Sequence, residues 1–271
     1  MKYIILFGTI LLAGILIFLI TSKEDAIQPD MPDVDANKEI ITAPEKVEII
    51  SKPKQKNIVT AVDLDMNNLK DVTDKKKRFF DFMRPIVQAE NEKVLKLRKE
   101  LITAKKNNNK KAFVAETADS YSVDWETGKE NWEKLLERVD AIALEVALAQ
   151  SANESAWGQS RFAQQGNNFF GQWCYKKGCG IVPNKRDKGT KHEVASFKSV
   201  NASVRSYIKN INTGRVYAPL RDVRKKDRNA GNPANAKAQA GGLIKYSQRR
   251  EEYVKEIRAM IRVNKKLMRG E

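Results

Sequence analysis

The chain has 271 residues, with 50 Lys and Arg against 34 Asp and Glu, a formal net charge of +16. Hydrophobic residues make up 41% and charged residues 31%, enough for one real core with length left for tails or a second small unit. One histidine, His192, and two cysteines, Cys174 and Cys179, exclude a metal site built on two or three histidines and a Cys-rich zinc module. Carboxylates, tyrosines and amides must carry most of any chemistry.

Residues 3–20 read YIILFGTILLAGILIFLI, an unbroken apolar run behind Lys2. At about 1.5 Å per residue it is just long enough to cross a bilayer core. No Ala-x-Ala-like site follows it, so residues 1–22 are predicted to be an uncleaved signal-anchor, with cleavage and secretion as the alternative. Lys2 stays on the cytoplasmic side and the rest of the chain crosses. Residues 23–60 are polar, Pro-punctuated and aperiodic, as expected of a flexible linker. Residues 1–60 hold 7 Lys and 8 acidic residues, whereas the remainder holds 43 basic and 26 acidic ones, so the globular part is the basic part. Outside the cytosol, the segment from Cys174 to Cys179, CYKKGC, is a loop that a disulfide can close at a hairpin turn. The alternative is a Cys174 or Cys179 nucleophile paired with His192.

In residues 79–106, Phe79, Phe82, Met83, Ile86, Val87, Val94, Leu97 and Leu101 recur at helical spacing, with Pro85 placing the helix start near itself. A second helix is predicted over residues 132–151, with Leu135, Leu136, Val139, Ile142, Ala143, Val146 and Ala149 on its apolar face. Gly158 marks its end or a tight turn soon after. Gly, Pro and Cys cluster over residues 172–197, with β-like pieces at 172–175 and 193–197 that suggest a small β-hairpin lobe. Helical pattern returns over 200–212, 235–245 and 251–264, whereas the charged block 221–228 reads as a solvated loop, and Arg215 and Arg221 as basic surface. The fold class is mainly α (α+β), with a helical extension over 61–131 and a second unit over 132–271.

Glu154, at the end of the second helix beside Trp157, has two readings. As a partly desolvated carboxyl its pKa rises toward that of a general acid; as an ordinary helix-end residue it is exposed and inert. Around it runs A-N-E-S-A-W-G (residues 152–158), then N-N-F-F-G (167–171), then Phe197-Lys198-Ser199 and Ser206-Tyr207. These segments, in this order, resemble the peptidoglycan glucosaminidases of glycoside hydrolase family 73, whose pattern runs A-x-x-E-S-x-W-G, N-N-x-F-G, F-R-x-Y and S-Y. Lys198 stands where the family carries arginine.

The resemblance covers about residues 132–263. It implies a lysozyme-like helical fold with a groove between a helical lobe and a β-hairpin, and places Glu154 as the acid that protonates a glycosidic oxygen. It points to Glu193 as a second carboxylate, with Asp187 as competitor, and to Tyr217 as the tyrosine near the acid. Asn168 and Phe170 are expected to shape the groove floor, Trp173 to stack on sugar or fill the core, and Tyr246 to line the groove. Tyr207, Tyr253 and Ile257 are expected to pack, and Phe169 to be buried. The expected partners are peptidoglycan glycan strands, with the inner membrane engaged through the anchor and a periplasmic location; no metal or cofactor is implied. Net positive charge suits a polyanion, but no nucleic-acid motif is present, so anionic wall material or a membrane surface accounts for it. The competing readings are a non-catalytic wall-binding module and a related wall hydrolase: a muramidase, lytic transglycosylase or amidase.

Overall fold

The Asp71 carboxylate accepts hydrogen bonds from the backbone N–H groups of Thr73 (2.6 Å) and Asp74 (2.9 Å), and this cap starts helix α1 (Val72–Lys106). The computed structural model describes residues 58–67, 69, 71–108, 112–184 and 189–271. The expected signal-anchor, the linker through residue 57 and Asp187 lie outside the described residues. After α1 come α2 (Ala112–Ser120), α3 (Trp132–Arg138), α4 (Leu144–Glu154) and α5 (Arg161–Gly166). Three short strands follow, β1 (Trp173–Cys174), β2 (Gly180–Ile181) and β3 (Glu193–Ala195). The chain closes with α6 (Val200–Thr213), α7 (Ala218–Asn229), α8 (Ala236–Ala240) and α9 (Arg250–Arg269). Among the described residues no helix is long and apolar enough to cross a membrane.

Three expectations are corrected. Pro85 lies inside α1 rather than at its start. An interior proline costs a helix about 3 kcal/mol, but Met83, Ile86 and Val87 around it are buried. In addition, Arg84 donates to the carbonyls of Leu267 (2.6 Å) and Met268 (2.9 Å) at the end of α9. The single helix over 132–151 is two helices, α3 and α4, although the apolar spacing continues through the break. The broken turn takes its hydrogen bonds from elsewhere. Asn91 accepts from Ile142 N–H (3.0 Å) and donates to Ile142 O (2.8 Å), and Gln239 accepts from Ala143 N–H (3.2 Å).

The charged block over 221–228 is helix α7, not a solvated loop, and Arg221 and Arg224 are buried. Their guanidiniums serve carbonyls left open at other helix ends. Arg221 donates to Ile211 O (2.9 Å) and Gly214 O (2.8 Å), and Arg224 donates to Glu137 O (2.7 Å), Asp140 O (3.1 Å) and Ala141 O (3.1 Å). Arg228 closes the cluster on the Asp140 carboxylate at 2.6 Å.

Helix α4 is apolar or small on nearly every side and is buried from Glu145 to Ala152, the pattern of a central helix. It packs on α1, α8 and α9, and α1 also packs on α6. At about 1.5 Å per residue α1 is roughly 50 Å long, and it serves two cores. Its first half gives Phe79, Phe80, Met83, Ile86 and Val87 to the main core, while Leu101 and Ala104 join Val114, Ala118, Tyr121, Leu135 and Val139 in a second. The expected hairpin is a three-stranded antiparallel sheet in the order β1-β3-β2, with Cys174 opposite Glu193 and Gly180 opposite Ala195.

Phe80, fully buried, meets Phe79 and Trp157 edge-on at 5.7 and 5.4 Å. Its truncation to alanine is expected to cost about 3–5 kcal/mol in urea unfolding. Ile102→Ala on the exposed side of the same helix should change stability by no more than about 0.5 kcal/mol.

Candidate active site

Glu154 is the last residue of α4, and the chain turns sharply behind it: Ala156, Trp157 and Gly158 have φ values of +50°, +59° and +78°. Two non-glycine residues in that region store strain of about 1–3 kcal/mol each, so the turn has to be held from outside. Ser155 Oγ donates to Ser151 O (2.6 Å) and accepts from Gly158 N–H (2.7 Å). Trp157 N–H donates to Ala152 O (2.8 Å), and its ring lies edge-on against Phe79 (5.5 Å) and Phe80. A Cβ on Gly158 would stand 2.4 Å from Leu64 Cδ2. The E-S-x-W-G motif is therefore one turn, locked from the N-terminal side by Leu64, Phe79 and Phe80.

The N-N-F-F-G motif packs against this turn, with Phe169 beside Gly158 and Gly171 beside Glu154. Asn167 sits in the left-handed region at φ +50°, accepts from Ala61 N–H (2.7 Å) and donates to Phe197 O (2.8 Å). Asn168 donates to Gln172 O and Ala195 O (2.8 Å each) and accepts from the N–H groups of Phe170 (3.2 Å) and Gln172 (3.1 Å). Phe169 is buried against Phe79 and Phe82, and Phe170 stacks on Tyr207 at 4.0 Å. Asn168 and Phe170 are each 1% exposed, so neither offers a surface for a sugar to contact. Gly171, at φ +63°, closes the motif against the acid, since a Cβ there would stand 3.5 Å from Glu154 Oε2.

Four tyrosines act on the Glu154 carboxyl, one of them by direct contact. Tyr253, from α9, donates to Oε1 at 2.8 Å, and Asn153 reaches the same oxygen at 3.4 Å. Tyr246 donates to Phe170 O (2.9 Å) and stacks on Tyr253, with ring centroids 5.5 Å apart. Tyr217 is fully buried, is hydrogen-bonded to Asn210 and lies 6.0 Å from the Tyr246 ring. Tyr207 donates to Gln150 Oε1 at 2.6 Å. Burial raises the Glu154 pKa above the ordinary carboxylate range; the hydrogen bonds from Tyr253 and Asn153 and the charge of Arg249 oppose the rise, and Glu256 adds to it. Burial likewise raises all four phenols, and the Glu154 charge adds to each rise, which keeps Tyr207, Tyr217, Tyr246 and Tyr253 neutral at physiological pH.

Tyr217 and Tyr246 thus stand within the electrostatic reach of Glu154. Tyr253, expected only to pack, does pack and also makes the direct hydrogen bond to the acid. Gln150, Arg249 and Glu256 were not singled out in the sequence. The signal for Gln150 was a polar residue one helical turn before Glu154, directly after the apolar run over residues 146–149.

Glu193 is buried in the β lobe, and its two oxygens accept from Gly178 N–H (3.0 Å) and Gly180 N–H (2.8 Å). Those amides border the loop that Cys174 and Cys179 close as a disulfide. The nucleophile reading of the cysteines is corrected, because the two sulfurs are bonded to each other. Trp173 is half-buried and stacks on His192 at 4.0 Å, which engages the ring that the alternative needed.

Residues 129–266 match the glucosaminidase family, described as mannosyl-glycoprotein endo-beta-N-acetylglucosaminidase. The chain belongs to this family. It is also 33% identical over 202 residues to Protein bax of Escherichia coli (strain K12), covering 72% of this chain and 72% of that protein. That likeness is longer than the family match and extends into the region before residue 129, where α1 lies. No solved structure matches the chain significantly.

Because the folded Glu154 carboxyl has a raised pKa, its ionisation destabilises the fold as pH rises above the unfolded carboxylate value. Glu154→Gln is therefore expected to melt higher than the wild type at pH 7. Thermal melts should show that difference shrinking toward acid pH, where the native carboxyl is protonated.

Proposed function

We propose that this protein is a peptidoglycan hydrolase, an endo-β-N-acetylglucosaminidase in which Glu154 is the general acid. The observation that supports this reading most is the half-buried Glu154 carboxyl, raised in pKa and aimed between the tyrosine cluster and Gly171, in a chain of the glucosaminidase family. Protonated Glu154 gives its proton to the glycosidic oxygen as the bond to the anomeric carbon breaks, so the leaving sugar departs as a neutral hydroxyl. The resulting carboxylate then takes a proton from the water that completes hydrolysis. The lysozyme-like groove is part of the proposal, with Trp173 and Tyr246 along it and Tyr217 beneath the acid. The location proposed is the periplasm, held at the inner membrane by residues 1–22. The apolar run over 3–20 supports the anchor, and the Cys174–Cys179 disulfide supports an oxidising compartment.

Glu193 bears on how the cation at the anomeric carbon is stabilised. Its carboxylate is engaged by two backbone amides of the disulfide loop, so in this reading it holds the lobe in shape. The N-acetyl group of the substrate then attacks the anomeric carbon in place of a protein nucleophile. The same engagement favours a second reading, a lytic transglycosylase, in which the sugar's own 6-hydroxyl attacks and no water is activated.

Mass spectrometry of purified peptidoglycan digested with the full-length protein tests both. The expected products carry reducing N-acetylglucosamine ends and are absent with Glu154→Gln. Anhydromuramic ends would establish the transglycosylase, and sacculus binding without cleavage by either protein would leave a non-catalytic module.

A further inference from the structure

A chain of hydrogen bonds runs beneath the acid, through groups that do not reach solvent. Tyr207 donates to Gln150 Oε1 (2.6 Å), Gln150 Nε2 donates to the Tyr253 hydroxyl (2.9 Å), and Tyr253 donates to Glu154 Oε1 (2.8 Å). Tyr207 and Gln150 are fully buried and Tyr253 is 1% exposed. Each bond fixes the direction of the next. A phenol has one proton, and because the Gln150 amide donates to the Tyr253 oxygen, that proton is free for Glu154.

We infer that Gln150 and Tyr253 are positioning residues that hold the acid proton of Glu154 on Oε2. This deepens the proposed glycosidase reading and rests on it for the catalytic consequence. A carboxyl that accepts a hydrogen bond on Oε1 keeps its own proton on the other oxygen. Oε2 is the oxygen beside Gly171, where the missing side chain leaves room next to it. The proton therefore sits on the side of the carboxyl that faces Gly171. Neither Gln150 nor Tyr253 presents surface to a glycan, so both act through Glu154.

The other groups acting on Glu154 come from several elements. From α9 and the residue before it come Glu256 and Arg249, paired with each other; Tyr246 precedes them, Tyr217 follows α6, and Tyr207 lies on α6. None of these donates to Oε1; Asn153 does, but at 3.4 Å against 2.8 Å for Tyr253, so Tyr253 is the stronger donor there. Removing the Tyr253 donor takes away a bond that favours the charged carboxylate, so Glu154 should titrate at higher pH. Gln150→Glu makes the same change from further away, because an ionised carboxylate cannot donate to Tyr253 and competes for its proton.

The experiment is a 13C-NMR titration of the Glu154 carboxyl carbon in the full-length protein, with the signal assigned by its loss in Glu154→Gln. It is repeated in Tyr253→Phe and Gln150→Glu, beside kcat and KM for glycan cleavage. The expected result is an upward shift of the Glu154 titration in both variants. In both, kcat should fall at least about tenfold, a fraction of what general acid catalysis supplies, with KM unchanged. Tyr253→Phe keeps the ring stacked on Tyr246 and decides the matter if the Gln150 change prevents folding. A folded Tyr253→Phe protein whose Glu154 titrates as in the wild type overturns the inference, even if its activity falls. If the wild type cuts no glycan at any pH, the glycosidase reading fails, while the titration still decides whether the pair positions the proton.

Discussion

A half-buried carboxyl at the C-terminal end of a buried helix loses part of its water, and the helix dipole there disfavours its charge. In this protein four tyrosines lie within the electrostatic reach of Glu154, and one of them touches it. Tyr253 supplies the direct hydrogen bond, and Tyr246, Tyr217 and Tyr207 supply neutral, polarisable walls. Burial raises the Glu154 pKa above the ordinary carboxylate range, the direction a general acid needs, while the Tyr253 hydrogen bond opposes that rise. The tyrosines come from α6, the turn before α7, the segment before α9, and α9 itself. Placing that one carboxyl therefore depends on the packing of most of the helical lobe.

The same dependence explains why the N-terminal part of the chain belongs to the unit. Glu154 is followed by two non-glycine residues in the left-handed region, a turn that would relax if left alone. Phe79 and Phe80 of α1 hold the Trp157 ring, Leu64 fills the space over Gly158, and Ala61 is tied to Asn167. Residues well before the family match thus brace both motifs of the site. The likeness to the Escherichia coli relative, which also reaches into this region, fits that arrangement.

What the sequence revealed and what it hid divide along a physical line. The core face of α4 and the disulfide loop were legible because each rests on local spacing, whereas the position of Glu154 alone left two readings open and only the motif resemblance singled it out. The break between α3 and α4 was hidden, because Val139, Ile142 and Ala143 keep the helical spacing while Asn91 and Gln239 supply the hydrogen bonds that open the turn. Helix α7 was hidden because its arginines look like solvent-facing charge. Many of their partners are backbone carbonyls of residues far along the chain, which no side-chain pattern records. Tyr253 was half legible: its spacing with Val254, Ile257 and Ile261 marked it as core, but its hydroxyl meets Glu154 only through the tertiary fold. Glu193 stood in the expected lobe, yet its carboxylate turned toward the amides of its own sheet.

The central claim is that Glu154 faces the scissile bond. A crystal structure of the Glu154→Gln protein with a bound peptidoglycan glycan fragment tests it most directly. The account predicts a glycosidic oxygen within about 3 Å of the residue 154 side chain, on the side of Gly171, with the sugars running along Trp173 and Tyr246. A glycan seated on another face, or with every glycosidic oxygen beyond reach of that side chain, would contradict it.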